Sequence, residues 1–306
     1  MAVRLSKKEA ALRRRFRQKI SEFIIESMLF LSALVSIFLT VAIAWILIKE
    51  SIPFFKQVSI REFLTELEWT PMFDQAKFGI LPLVSGTLLT SFIALIVAIP
   101  LGTIAAIYLS EFVTPRTREI FKPCLELLSA VPTVVYGYFA LLFVTPLLRQ
   151  IFPDIGFNVL SAGLVIGVMI IPYVSSLSED AMRAVPNDLR EGSYAMGATR
   201  IETAFKVVFP AALSGITSAY ILGISRAIGE TMIVAIAAGM QPNLTLNPLE
   251  PSETITAFIV QVSMGDLPHG SIGYQSIYVA GLTLLIITLI FNIIGFALRR
   301  RYREVY

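Results

Sequence analysis

Two charged residues stand in a stretch of sequence that otherwise excludes charge. Arg226 and Glu230 interrupt an apolar run that is free of Asp, Glu, Lys, Arg and His from Val207 to Ser225 and resumes through Gly239. A spacing of four places both on one face of a helix, one turn apart. There they would partly neutralise each other. An Arg at the centre of a membrane helix costs about 2.5–3.5 kcal/mol on insertion scales. A buried ion pair is weak evidence for stability, because apolar residues of similar volume would serve as well. The pair therefore points to function more than to structure. A guanidinium offers a planar fork of donors to an oxyanion, and Glu230 would oppose that anion and compete for Arg226, so that it is released and not trapped.

The elements that must position this pair follow from composition. The chain has 306 residues, of which 56% are hydrophobic and 15% charged, with a formal net charge of +3. A soluble domain carries about 25% charged residues, so there is too little charge here for a water-facing surface. One cysteine, Cys124, excludes a disulfide scaffold. The apolar content excludes disorder, and the small net charge argues against a nucleic-acid binder. What remains is an all-α integral membrane protein.

Six spans are expected, since each needs about 20 apolar residues. The charge-free runs are Met28–Ile48, Phe78–Ser110, Leu127–Leu148, Ile155–Ser178 and Gly270–Leu298, with span five at Ala211–Gly239. Phe78–Ser110 reads as one helix with a lead-in near Gly79-Ile80-Leu81-Pro82. Nineteen of the 25 Lys and Arg lie in the N-terminal segment, the second and fourth loops and the C-terminus. The positive-inside rule then puts both termini in the cytoplasm. The N-terminal segment does not read as a cleavable signal. Its Leu5, Leu12, Phe16, Ile20 and Phe23 fall near helical spacing, either a surface-lying helix or only a topology signal. Three parts are expected: a basic segment 1–22, a transmembrane domain 23–300 and a tail 301–306. The first external loop, 49–77, reads as polar. In the fifth loop Ser252 is expected to cap a short helix over 252–265, either facing a partner or simply connecting.

Span five also carries a row of small residues at every fourth position: Gly215, Ala219, Gly223, Ala227, Thr231, Ala235 and Gly239. Such a ridge lets helix backbones approach closely, so span five should be central in the bundle. No G-x-x-x-x-G-K-[ST] occurs, so ATP is not expected to bind this chain through a P-loop. A single histidine, His269, and a single cysteine argue against a His/Cys metal site and against a Ser-His-Asp triad. No metal, cofactor or catalytic residue is expected. Asn243-Leu244-Thr245 matches a glycosylation triplet, of a kind common by chance.

The fourth loop, 179–210, predicts two short helices. Pro186-Asn187-Asp188 is a start signal, with Asn187 or Asp188 as N-cap. That helix should run to about Met196, with Gly197 ending it. Thr199 and Glu202 have capping-box spacing and should open a second helix ending at Pro210. Leu189, Tyr194, Met196, Ile201 and Phe205 would be its apolar contacts. They would serve either its own bundle or a partner.

Here two resemblances enter. Glu191-Gly192-Ser193, three residues, Gly197, nine residues, then Val207-Val208-Phe209-Pro210 resembles the EAA motif of bacterial ABC importer permeases. The Glu, Gly, Pro and spacing are kept, and the replaced positions stay small or apolar. Ser225-Arg226-Ala227-Ile228-Gly229-Glu230-Thr231 resembles the S-R-A-I-G-E-T stretch of phosphate importer permeases, while molybdate and sulfate permeases carry a similar A-R-x-x-G-E. Phe78–Thr87, Pro100–Glu111 and Ala130–Tyr138 resemble the phosphate type as well. The likeness spans about residues 25–300 and favours the PstC-type subunit over the PstA type.

The resemblance implies a type I ABC importer (MetI-like) permease fold in the bacterial plasma membrane. It implies a second, PstA-type permease, two ATP-binding subunits that perform the hydrolysis, and an extracytoplasmic phosphate-binding protein. Arg226, Glu230 and Thr231 would border the substrate path. Glu191, Gly192, Ser193, Tyr194, Met196 and Gly197 would form the coupling helix. Three alternatives stay open: a molybdate or sulfate permease of the same fold, a transporter driven by an ion gradient with charges at mid-membrane, and a phosphate-sensing scaffold.

Overall fold

The computed structural model describes the backbone of residues 2–73, 75–265 and 267–301, and the side chains of Lys19 and of 22–300 apart from 74 and 266. Among the described residues the structure is helical, with only isolated β-bridges. The chain divides into two units, Met1–Glu50 and Ser51–Tyr306. From Ala2 onward the first is one continuous helix, the greater part of α1 (Ala2–Phe55). Its side chains from Phe23 to Ile48 are largely exposed apolar groups, as suits a helix that faces lipid or another subunit. The side chains of Leu5, Leu12, Phe16 and Ile20 lie outside the described residues, as do 302–306 of the tail.

The second unit holds α2 (Ile60–Thr65), α3 (Leu81–Phe112), α4 (Pro115–Ala130), α5 (Thr133–Arg149), α6 (Val159–Arg183), α7 (Asn187–Ala195), α8 (Arg200–Ala211), α9 (Leu213–Ile228), α10 (Met232–Ala237), α11 (Ile255–Ser263) and α12 (Ile272–Arg301). Four helices are long and apolar enough to cross a membrane, namely Glu22–Phe55 of α1, α3, α6 and α12. The count rises to six if the bent pairs α4–α5 and α8–α9 are each one span.

Close backbone contacts give the directions. Gly163 meets Ile93, Gly167 meets Val97, and Gly102 meets Val174, so α3 and α6 run parallel. Gly215 meets Ala181 while Gly223 meets Ile170 and Val174, so α9 runs antiparallel to α6. Gly295 meets Ile221 and Asn292 bonds to Ser225, so α12 runs antiparallel to α9. Two parallel helices joined in sequence require one return crossing between them, which is α5. The ends of α3, α6 and α12 thus share one face with α7 and α8. There Ala106, Ile107, Met182, Val185, Ala204, Val208 and Ile216 form an apolar cluster.

The run Leu127–Leu148 is not one straight span. The helix breaks at Val131-Pro132 and turns by 86°. Pro132 excludes helical backbone from the residue before it, and Val131 is extended at φ −67°, ψ 130°. The segment before the break, α4, is amphipathic and begins at Pro115, well outside the charge-free run. A wide turn at Ala140–Val144 interrupts α5.

The polar reading of the first external loop is also corrected. Trp69 is 1% exposed. Its ring meets Phe63, Phe78 and Phe258 edge-on at 6.3, 6.1 and 5.1 Å. The first and fifth loops share this aromatic core with Phe54, Leu83, Ile255 and Val279. Each such aromatic contributes about 1.5–3 kcal/mol by burial, which outweighs the polar residues between them. The short fifth-loop helix is α11, and its cap is Thr254, not Ser252, with the Thr254 hydroxyl accepting from the Ala257 N–H at 3.2 Å.

Candidate substrate path and coupling surface

Span five is built in pieces. It bends by 73° at Ala212, between α8 and α9. The second helix of the fourth loop therefore continues through Pro210 to Ala211 instead of stopping at Pro210. It breaks again at Gly229–Thr231, between α9 and α10. Gly229 is a poor helix former, and the Glu230 N–H turns back to the Ala227 carbonyl at 3.3 Å. This second break corrects the expected pair. Arg226 stands in the last turn of α9 and Glu230 lies beyond its end, so the two no longer share one continuous helix. The small-residue ridge likewise ends at Ala227. Its first half packs as anticipated, with Ala219 and Ala227 buried and Gly215 and Gly223 against α6.

The Arg226 guanidinium lies over the Tyr173 ring, 4.5 Å from its centroid. Its Nε is buried and makes no hydrogen bond. Glu230 is 7% exposed. Its carboxylate accepts from the Ile233 N–H at 3.5 Å, at the open donors of the first turn of α10. Its carbonyl accepts from the Thr256 hydroxyl at 2.7 Å. The Thr231 hydroxyl donates to the Gly229 carbonyl at 3.3 Å. The break thus leaves a guanidinium with unused donors, held by an aromatic face, beside a carboxylate occupied with backbone. Such a group can recruit an oxyanion without first giving up an ion pair. Tyr173 was missed in the sequence. Its signal was a hydroxylated aromatic beside Pro172 in an otherwise aliphatic span.

The second constellation is α7. The helix begins at Asn187 after Pro186 as cap, so neither Asn187 nor Asp188 caps it. It ends with Gly197 at φ +84°, the left-handed position that favours glycine. The Thr199–Glu202 capping box forms in both directions. Met196 is 89% exposed and Tyr194 42%. Ile201 and Phe205 of α8 are exposed as well, so these side chains present themselves outward and do not fill the bundle. Glu191 and Gly192 are exposed on the same short helix. The Ser193 hydroxyl meets that of Thr203 at 2.9 Å, which joins α7 to α8.

A third cluster had no counterpart in the sequence reading. Glu179 is fully buried at the end of α6. It accepts from Arg118 Nε at 2.6 Å and Nη2 at 3.0 Å, and from Lys122 Nζ at 2.8 Å. These bonds tie amphipathic α4 to α6. No group of His, Cys, Asp and Glu able to hold a metal ion occurs among the described residues.

Residues 98–304 match the family described as binding-protein-dependent transport system inner membrane component. A probable ABC transporter permease protein, YqgH, of Bacillus subtilis (strain 168) is 37% identical over 235 residues, covering 76% of each chain. The phosphate transport system permease protein PstC of Xylella fastidiosa (strain 9a5c) is 32% identical over 247 residues, 74% of each chain. A probable PstC of Methanocaldococcus jannaschii is 30% identical over 276 residues, covering 83% of this chain and 86% of that one. Among solved structures, a bacterial ABC transporter involved in alginate import matches with a TM-score of 0.60 at 17% identity, over 89% of this chain and 96% of that one. The inward-facing methionine transporter MetNI matches at 0.54 and 17%, over 74% and 95%. At such identity the structures speak for the fold, which is the MetI-like permease fold. The match across most of the chain and the relatives at 30% identity or more establish the family: the chain is a membrane permease subunit of an ABC importer, belonging to the binding-protein-dependent inner membrane components.

Proposed function

We propose that this subunit carries inorganic phosphate into the cytoplasm by alternating access, driven by ATP that partner subunits hydrolyse. The observation that carries the reading is Arg226, a guanidinium with an unused buried donor, held over Tyr173 at a break in span five. A planar fork suits a tetrahedral oxyanion, and PstC permeases are among the relatives. Glu230 and Thr231 border the same break. Repulsion from the carboxylate would keep the anion's stay short.

In this reading α7 is the coupling helix. Glu191, Gly192, Ser193, Tyr194, Met196 and Gly197 meet an ATP-binding subunit, with Ile201 and Phe205 beside them. The face shared by the ends of α3, α6 and α12 is then cytoplasmic, both termini included, in the bacterial inner membrane. The basic segment 1–22 and the tail 301–306 flank the permease domain 23–300 on that side. A PstA-type permease completes the path, and an extracytoplasmic phosphate-binding protein delivers substrate to the opposite face.

The test is uptake and ATP hydrolysis by the purified complex in proteoliposomes, comparing phosphate, sulfate and molybdate with their binding proteins. Hydrolysis stimulated by phosphate and coupled to its entry supports the proposal. Coupled entry of molybdate or sulfate alone replaces the substrate but keeps the importer. Entry that follows an ion gradient and ignores ATP overturns the coupling role of α7.

A further inference from the structure

Three carboxylate residues are buried among the described residues: Glu179, Glu230 and Glu253. Glu179 is neutralised by Arg118 and Lys122, and Glu230 accepts a backbone N–H. Glu253 has neither. It is 1% exposed, and both carboxylate oxygens are buried without a hydrogen-bond partner. A charge in that position is costly unless it is paired or protonated.

The backbone explains how the side chain is drawn inside. Residues 252–256 run from the connection after α10 into the first turn of α11, outside the spanning helices, and are fixed at three points. The Ser252 N–H donates to the Ala238 carbonyl at 3.1 Å. The Ile255 N–H donates to the Thr87 hydroxyl of α3 at 3.1 Å. The Thr256 hydroxyl donates to the Glu230 carbonyl at the break in span five, at 2.7 Å. Gly86 of α3 is the seat: a β-carbon there would collide with the Glu253 carbonyl oxygen and the Ser252 hydroxyl.

The ionisable groups on the surrounding elements are few. The broken span offers Glu230 and Arg226, the preceding turn offers Glu250, and α12 offers Tyr274 and Tyr278, with Arg299, Arg300 and Arg301 at its far end. The ionisable residues of α3, Tyr108 and Glu111, sit at its opposite end, and α11 has none. Glu250 is engaged with Asn243 and Asn247 at 3.2 and 3.0 Å. None bonds to Glu253. Burial with no opposing charge pushes the Glu253 carboxyl up to about 8.

We propose that Glu253 holds a proton while residues 252–256 are seated between α3 and the break in span five, and yields it to water, leaving a carboxylate, when that segment lifts away. Thr256 joins the seat to Glu230, so a rearrangement of the break pulls on the segment that keeps the acid dry. Coupling of this proton to the transport cycle rests on the importer reading; the proton site itself does not.

Infrared difference spectra of the purified complex, wild type minus Glu253→Gln, test the site directly. The expected result is a protonated-carboxylic-acid carbonyl band in the wild type at neutral pH, lost with a midpoint near 8 as pH rises and absent from the variant. Phosphate uptake by Glu253→Gln at neutral pH should fall below wild type, because the amide fills the seat as the neutral acid does but has no proton to yield when the segment lifts; uptake equal to wild type would sever the proton from the transport cycle. In Gly86→Ala the acid remains but its seat is filled, so the band should disappear at neutral pH. Equal spectra for wild type and Glu253→Gln would show an ionised carboxylate, paired within the assembly, and overturn the proposal. Persistence of the band unchanged in Gly86→Ala would overturn the role of the seat. If the band behaves as described but no anion is imported, the importer reading falls and the proton site stands.

Discussion

Arg190 grips Glu111 with two nitrogens, Nη2 to Oε1 at 2.9 Å and Nε to Oε2 at 3.2 Å. The same guanidinium donates to the Met182 carbonyl at 2.8 Å and the Val185 carbonyl at 2.7 Å. One side chain therefore ties the first turns of α7 to the ends of α3 and α6. Both partners are largely buried, at 14% and 6% side-chain exposure. The clamp is thus a buried route by which a push on α7 would reach the core. Removing one partner leaves the other charged and unpaired, at a cost of about 3–5 kcal/mol. Arg190→Ala and Glu111→Ala should each lower the thermal stability of the complex and reduce substrate-stimulated ATP hydrolysis. The double change Glu111→Met/Arg190→Met should recover part of the stability. Single variants as stable as wild type would show that the pair is not a mechanical link.

Arg226→Gln should leave assembly intact and abolish uptake. The side chain makes no ion pair that holds the fold, so its loss does not strand a partner charge, while the amide cannot present a charged fork to an anion. Arg226→Lys keeps the charge but loses the planar geometry, and should transport at a reduced rate. The check is radiolabelled phosphate uptake in proteoliposomes, with subunit stoichiometry measured on the same preparations. Wild-type uptake by Arg226→Gln would remove the residue from the path.

Tyr173 would act through Arg226 as a positioning residue, since its ring carries the guanidinium. The ring face, not the hydroxyl, meets the guanidinium, so Tyr173→Phe should preserve transport. Tyr173→Leu keeps apolar bulk but removes the π face, a loss of about 0.5–2 kcal/mol. Uptake should show this as a raised KM for phosphate with the assembly unchanged. Equal kinetics for Phe and Leu would mean that packing alone, and not the aromatic face, sets the Arg226 orientation.

Much of the fold was legible because it follows from composition and from strong local signals. Gly197 and the Thr199–Glu202 box mark the turn between α7 and α8 as the sequence reads them, since both act within a few residues. The breaks were harder to see. Val131-Pro132 interrupts a run whose hydropathy is unbroken, and Gly229 lies between two charges in a run that resumes beyond them, while hydropathy carries no information about backbone direction. The Trp69 core is not legible in the sequence because its members come from residues 54–83 and 255–280, far apart in the chain and diluted by polar neighbours. The clamp of Arg190 and the cradle of Glu179 needed the folded ends of three helices to exist at all. Of the candidate path, the guanidinium was legible and its aromatic support was not.

The seam between α3 and α6 should tolerate no added bulk. At Gly167 a β-carbon would lie 2.7 Å from Val97 Cβ and 2.8 Å from the Ala94 carbonyl oxygen. The second of these is backbone and cannot rotate away. Overpacking of this kind costs about 1–3 kcal/mol. Gly167→Leu should therefore lower the melting temperature of the complex, whereas Gly192→Ala, where nothing lies within 4 Å, should leave it unchanged. Thermal unfolding of both variants in the same detergent makes the comparison.

Met196 provides the test of docking that is least confounded by folding. It is 89% exposed, so a polar replacement removes no core contact. It follows Tyr194 on the outward face of α7, with Glu191 one turn earlier. Interfaces concentrate their energy in a few apolar and aromatic anchors at the centre of the patch. Placing a carboxylate there would desolvate a charge against a partner with nothing to pair it. Met196→Asp should therefore express, insert and melt like wild type, yet fail to retain the ATP-binding subunit through purification. Tyr194→Ala should weaken retention to a smaller degree, because half of that ring is already covered by its own chain. A Met196→Asp subunit that still copurifies with its ATPase at wild-type stoichiometry would place the contact elsewhere, on Ile201 and Phe205 of α8.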